Sequence, residues 1–220
     1  KTFGKNKNSI AGVIMEPIQG QTLQIHPEGY LNEATILCKE NDILILMDEI
    51  KVGMGRTGKL FAFLEEKLVP DILTISKALG GGKRAIGVMV TSAKLSKKAY
   101  GKRKDSALHS TTFGGLGSSC AVAIESLNII SDQNFLENVE KKGSYFLKKL
   151  HELKNKYPKN IQEIVGKGLY LGIIFNFSPY EKSLKNLRIP FVNDMRVALM
   201  GSIVRCLYRK YGLLTHFTPP

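Results

Sequence analysis

At 220 residues and 43% hydrophobic content, the chain is long enough to bury a real core, as one large domain or a domain and a half. Its formal net charge of +13 comes from 32 Lys and Arg against 19 Asp and Glu, scattered without an aromatic-interleaved basic repeat, so it reads as a lysine-rich solvated surface and not a nucleic-acid site. No apolar stretch reaches the ~18 residues that span a bilayer, so no membrane partner is expected. Cys38, Cys120 and Cys206 are far apart, odd in number and without a CxxC pair. They suggest neither a disulfide framework nor a thiolate metal site, and a reducing, cytoplasmic setting fits best.

The chain starts on Lys1 instead of Met and stops on Pro219 and Pro220, so an excised piece of a longer polypeptide is expected. Residues 11–15 read as a short strand that Glu16 and Pro17 end, since proline stops sheet pairing. A loop over 18–28 follows, with Gly20 and Pro27 as turn residues. Tyr30, Leu31, Ala34, Leu37 and Cys38 stand at helical spacing and predict a helix over 29–41 that crosses back to an apolar strand at 43–47. Strand, helix, strand is the parallel crossover unit. Gly53, Gly55 and Gly58 then surround Arg56 in a loop, and residues 72–75 form a further apolar run before Lys77 and Gly80, Gly81 and Gly82. Short apolar runs bounded this way read as buried strands of a parallel sheet. One more strand is expected at 86–90, then a lysine-rich segment at 94–104, a loop at 110–117 and a largely buried helix at 119–130.

Composition shifts near Ser131. A long amphipathic helix is predicted over 132–157, with Phe135, Val139, Phe146, Leu150, Leu153 and Tyr157 on one face, Ser131 or Asp132 capping its start and Pro158 beyond its end. Strands at 161–165 and 169–177, a polar loop and a helix over 192–211 complete the chain. The expected organisation is a sheet domain over 1–130 and a smaller α+β domain over 131–220.

In an open α/β sheet, ligands sit at the carboxyl ends of the strands. Asp48 ends one apolar run and Lys77 follows the next, so an acid and an amine meet at one edge of one sheet. An amine that condenses with an aldehyde cofactor must be partly desolvated, which the end of a buried strand would provide. A pyridine electron sink needs a carboxylate against its ring nitrogen, and glycines beside the lysine let a bulky group approach. Spacing alone leaves the alternative open that Asp48 caps the next turn and Lys77 is a solvated strand terminus. Glu49 reads as a structural partner beside the site, and Arg56 either as a substrate contact or as a turn residue bonding backbone carbonyls. Gly80–Lys83 lacks the earlier glycine and the Ser or Thr of a phosphate loop. His26, His109, His151 and His216 lack ligand spacing, so no metal is expected.

The residues themselves carry more than the spacing. Met47 Asp48 Glu49 Ile50, Gly53 Met54 Gly55 Arg56 Thr57 Gly58, Pro70 Asp71 Ile72 and Lys77 Ala78 Leu79 Gly80 Gly81 Gly82 resemble the class III aminotransferases of ornithine, acetylornithine, putrescine and 4-aminobutyrate type. Glu16 Pro17 Ile18 Gln19 Gly20, Thr111 Thr112 Phe113 Gly114 Gly115 and Gly166 Lys167 Gly168 Leu169 are similar to further signatures of that family, in its order. The resemblance implies an α/β fold of the aspartate aminotransferase-like type (fold type I): part of the large domain, with a mostly parallel sheet, plus a small α+β carboxyl-terminal domain. It implies pyridoxal 5'-phosphate as cofactor, with Lys77 forming the internal aldimine and acting as base, Asp48 on the pyridine nitrogen and Ile50 on the ring face. Thr112 would bind the phosphate of the other subunit's cofactor, making a homodimer part of the site. The substrates implied are a primary amine or amino acid and an oxo acid, with Glu16, Gln21 and His216 on the substrate side.

The chain also departs from the family pattern. Lys51 replaces a glutamine near the cofactor's phenolic oxygen, where a cation would favour the phenolate. Gln21 replaces a glutamate, His216 an arginine that binds a substrate carboxylate, and Leu116 Gly117 an Asn-Pro pair. A histidine is a poorer and pH-dependent carboxylate clamp. The family's upstream phosphate loop and ring-stacking aromatic are absent, so the isolated chain is expected to bind cofactor weakly or not at all. Aminomutase or decarboxylase chemistry on the same fold, and an inactive assembly module, remain as alternatives to amino transfer.

Overall fold

A computed structural model describes residues 9–66, 68–178 and 192–217, the side chains of 192–195 excepted. The expected polar loop before the last helix and the two chain ends lie largely outside the described residues. The chain divides into two compact units, one comprising Lys1–Leu147 with Gly166–Leu171, the other Lys148–Val165 with Gly172–Pro220. The division thus falls inside the long helix, whereas the composition shift places it near residue 131.

The first unit is built on a four-stranded sheet in the order β1 (Gly12–Met15), β2 (Leu44–Asp48), β3 (Ile72–Ile75), β4 (Val88–Thr91). The first three strands are parallel, and β4 runs antiparallel to β3. Helix α1 (Tyr30–Glu40) makes the crossover from β1 to β2, as the periodicity requires. Ile45 and Met47 of β2 are fully buried and pack with Leu31, Cys38, Phe63, Leu73, Ile75 and Leu79. Leu44, Leu46 and Asp48 alternate with them and are only half-buried, so β2 is not buried on both faces as its unbroken apolar run suggests.

The Pro70 Asp71 Ile72 signature has a physical role here. Asp71 N–H donates to the Ile45 carbonyl at 2.9 Å, Asp71 Oδ2 accepts the Ile45 N–H at 2.9 Å, and the Asp71 carbonyl accepts Thr91 Oγ1–H at 2.8 Å. One residue therefore sets the entry of β3 against both neighbours.

Within the lysine-rich segment, where the sequence predicts no element, the structure has a helix, α2 (Ala93–Tyr100), capped by Ser92 Oγ accepting the Leu95 N–H at 3.2 Å. Helix α3 (Gly117–Ile130) is not largely buried as expected: Ser119, Ala123, Ser126 and Ile130 are covered while Ile124 and Ile129 are exposed. Its buried face is a narrow stripe of mostly small side chains, so its apolar content overstates its burial. Helix α4 (Gln133–Lys156) starts where expected, with Asp132 Oδ1 accepting the Phe135 N–H at 2.9 Å. Val139 and Leu150 are buried, but Phe135, Phe146, Leu153 and Tyr157 stay at least partly open.

Strands β5 (Ile161–Lys167) and β6 (Tyr170–Phe175) form a separate two-stranded sheet. Its connection explains another signature: a Cβ at Gly168 would lie 2.6 Å from Thr57 Cα, and one at Gly143 would lie 2.6 Å from the Gly168 carbonyl carbon. Only glycines allow these backbones to touch. Helix α5 (Val192–Tyr211) ends at Gly212, whose φ of 64° is left-handed; Gly212 N–H reaches the Tyr208 carbonyl and Leu213 N–H the Leu207 carbonyl. The first of these bonds, from the left-handed glycine to the carbonyl four residues back, is an αL stop.

Candidate active site

Register brings the two sequence-predicted reactive groups to one sheet edge. Asp48, the last residue of β2, pairs with Thr74 of β3, and Lys77 follows Thr74 by three positions. Asp48 is half-buried; its Oδ1 accepts the Ile50 N–H at 2.9 Å, and its Oδ2 has no hydrogen bond among the described residues. Capping the turn, one of the two readings of Asp48, thus uses one oxygen and leaves the other unengaged.

Lys77 opens a 3₁₀ turn, Lys77–Gly80, and takes a positive φ of 45°. For a lysine this backbone costs on the order of 1–3 kcal/mol and persists only where the surroundings enforce it. Here Leu79 N–H donates to the Ser76 carbonyl at 3.0 Å, Gly81 N–H to the Ala78 carbonyl at 2.9 Å, and Ser76 Oγ–H to the Ile86 carbonyl at 2.7 Å. Gly81, at φ 56°, runs so close to α3 that a Cβ there would sit 2.7 Å from Ser126 Oγ. The expectation that the strand end desolvates Lys77 fails: the turn buries Leu79 and Gly80 but leaves Lys77 exposed. The strand's burial stops one residue short of the amine, at half-buried Ser76.

Glu49, next to Asp48, is fully buried. Its Oε1 accepts the Phe63 N–H at 2.9 Å, while its Oε2 has no hydrogen-bond partner among the described residues. Burial, opposed by the Phe63 and Ala62 N–H groups and aided by the charge of Asp48, pushes its carboxyl up to about 7. It joins the end of β2 to the segment Ala62–Glu66, the structural role expected of it.

The loop after β1 forms a second constellation. Glu16 Oε2 accepts the Gly20 N–H at 2.7 Å, so a carboxylate expected on the substrate side closes its own turn. Tyr170 O–H donates to the Gly20 carbonyl at 2.6 Å, and Lys51 Nζ donates to the same oxygen. His26 Nε2–H donates to the Glu16 carbonyl at 2.9 Å, and its ring stacks on Tyr30 at 4.9 Å. Gln21 follows on the exposed side of the turn. Sequence reasoning missed Tyr170, and no local signal could have found it, because its partner lies 150 positions away.

The remaining predicted residues are placed separately. Thr112 is exposed in the loop before α3, Ile50 is half-buried beside Asp48, and His216 is exposed in the second unit. Arg56 has an exposed side chain, and its carbonyl accepts the Leu169 N–H at 3.1 Å.

A family model described as aminotransferase class-III matches residues 2–193, with all the quoted signatures inside it. The chain belongs to the class-III aminotransferases. Ornithine aminotransferase from Toxoplasma gondii ME49 is 34% identical with a TM-score of 0.73, over 80% of this chain and 40% of that one. Acetylornithine aminotransferase from Elizabethkingia anophelis is 33% identical with a TM-score of 0.73, over 84% of this chain and 47% of that one. An (S)-enantioselective omega-transaminase from Thermomicrobium roseum matches 99% of this chain and 46% of its own, at 27% identity and a TM-score of 0.84. The chain thus spans less than half the length of these solved relatives.

Class-III aminotransferases use pyridoxal phosphate, and a Toxoplasma gondii ornithine aminotransferase structure describes partial occupancy of that cofactor at its active site. At the β2 and β3 ends the residues that fit the group are Asp48, with a carboxylate oxygen free of hydrogen bonds among the described residues, and the apolar Ile50; the amine of Lys77 is accessible to it but not desolvated.

Proposed function

We propose that the chain carries the catalytic centre of a pyridoxal-phosphate aminotransferase that moves an amino group from a primary amine or amino acid, of ornithine, diamine or omega-amino acid type, to an oxo acid. The observation that carries this reading is the pairing of Asp48, with its unengaged Oδ2, and Lys77 at adjacent carboxyl ends of parallel strands. Bound pyridoxal phosphate supplies an electron sink for the charge left when a substrate carbon loses its proton. Lys77 would hold the cofactor, take that proton and return it to the neighbouring carbon, a role open to an amine that lies free at the strand end. Asp48 Oδ2 would keep the pyridine nitrogen protonated, and Ile50 would pack on the ring.

Thr112 suits a phosphate contact made across a homodimer, because its loop is open to solvent. Gln21 and His216 would face the substrate. The free cysteines Cys38, Cys120 and Cys206 support a reducing, cytoplasmic setting, and among the described residues no helix is long and apolar enough to cross a membrane.

The test is borohydride reduction of the complete protein with pyridoxal phosphate, followed by peptide mass mapping. A phosphopyridoxyl mass on the peptide carrying Lys77 is expected. No adduct there, or adducts scattered over surface lysines, would sink the reading.

A further inference from the structure

We infer that Lys51 is a positioning residue for the turn after β1, and that it orients Gln21 by holding the Gly20 carbonyl. The inference rests on the reading that this turn faces the substrate. A carbonyl oxygen has two lone pairs, and both are used at Gly20, by Tyr170 O–H at 2.6 Å and by Lys51 Nζ. That oxygen belongs to the planar peptide whose nitrogen is Gln21's, so fixing it fixes the direction in which Gln21 leaves. The preceding peptide is fixed from the other side, through Gly20 N–H on Glu16 Oε2 at 2.7 Å.

Gly20 is itself buried, and a Cβ there would lie 2.5 Å from Glu16 Oε2 and 3.0 Å from Lys51 Cδ, so a side chain at 20 would displace the very groups that hold the turn. Lys51 Nζ also stands 5.6 Å from the centre of the Tyr170 ring, a cation–π distance. Tyr170 in turn packs on Ile18, Val52 and Ala62, so the donors are anchored on a small apolar cluster that includes the turn's own Ile18. Reach explains the residue type. A glutamine at 51 ends one atom short of a lysine and donates from an uncharged amide, so the change from the family's glutamine lengthens the reach of position 51 and adds a charge to its donor.

The experiment compares the complete protein with its Lys51→Met, Lys51→Arg and Tyr170→Phe variants. Hydrogen–deuterium exchange of the peptide covering residues 18–25 is expected to quicken about fivefold in Lys51→Met and Tyr170→Phe, the scale of one lost hydrogen bond, and to recover in Lys51→Arg. The KM for the amino donor should rise about fivefold in Lys51→Met while kcat stays within about twofold, because ground-state and transition-state binding fall together. The pH midpoint of the cofactor's visible absorbance should not move. Unchanged exchange in Lys51→Met, or a displaced absorbance midpoint with exchange unchanged, would overturn the inference and put Lys51 on the cofactor. If the protein neither transaminates nor yields a reducible adduct, the functional reading fails, while the exchange rates still decide the role of Lys51.

Discussion

The turns after β1 and β3 leave the same end of the sheet but differ in how far away their bonding partners lie. In the turn after β3 the backbone bonds are local: Leu79, Gly81, Lys83 and Arg84 donate N–H groups to carbonyls of Ser76, Ala78 and Gly80 within a few residues. The turn after β1 takes its decisive bonds from Lys51 and Tyr170, 31 and 150 positions away. A turn whose backbone bonds are mostly its own can hold strain at one residue, as at Lys77, once Ser76 Oγ–H on the Ile86 carbonyl and the close packing of Gly81 on α3 seat it. A turn tied from a distance can be re-aimed by a single substitution far from it.

The sharpest way to test the comparison is at Lys77. Lys77→Gly should lower kcat of the complete protein by about 10²–10⁴-fold. It should also raise stability by about 0.5–1 kcal/mol in urea unfolding, since glycine takes the positive φ without strain. Loss of stability would mean that the turn is not under strain.

Glu49, which joins β2 to the loop 62–66, sets the next effect. Its carboxyl is raised to about 7 from an ordinary 4.5, so between these values the folded state holds a proton that the unfolded chain has released. Stability therefore falls as pH rises from about 4.5 to 7 and levels off above, by an amount on the order of 3 kcal/mol. Glu49→Gln should flatten the slope relative to the parent protein in urea titrations across that window. Equal slopes in the two proteins would refute the assignment.

Gly81→Val tests the local turn again. The new side chain meets Ser126 Oγ at a φ of 56°, and the expected loss is about 2 kcal/mol by thermal or urea unfolding, with α3 displaced. Tyr170→Phe should cost the distant turn about 1 kcal/mol, one hydrogen bond, because the ring still packs on Ile18, Val52 and Ala62. If the Tyr170→Phe loss exceeds that of Gly81→Val, the contrast between the turns is reversed.

The strands, the α1 crossover, the Asp132 cap and the last helix were legible because each depends on near neighbours: apolar runs, helical spacing and side chains that close adjacent N–H groups. The same holds for the placement of Asp48 and Lys77 at neighbouring strand ends, which follows once consecutive strands are parallel, and for membership of the family, which rests on ordered local signatures. Exposure was not legible. Ile124, Ile129 and Phe146 stand at apolar helical positions yet stay open, since periodicity says which residues share a face but not what covers it. Lys77 fails in the same way, because burial of β3 ends before the amine.

The amino-acid sequence by itself determined the order of elements, which side chains stand at the two strand ends and the glycines that the close crossings demand. Only the tertiary structure decided that Glu49 is buried with one oxygen unpaired, and that Lys51 and Tyr170 meet on one carbonyl of Gly20. The physical reason is range: local order follows from torsions and nearest-neighbour bonds, whereas desolvation and shared acceptors exist only once distant segments occupy the same few ångströms.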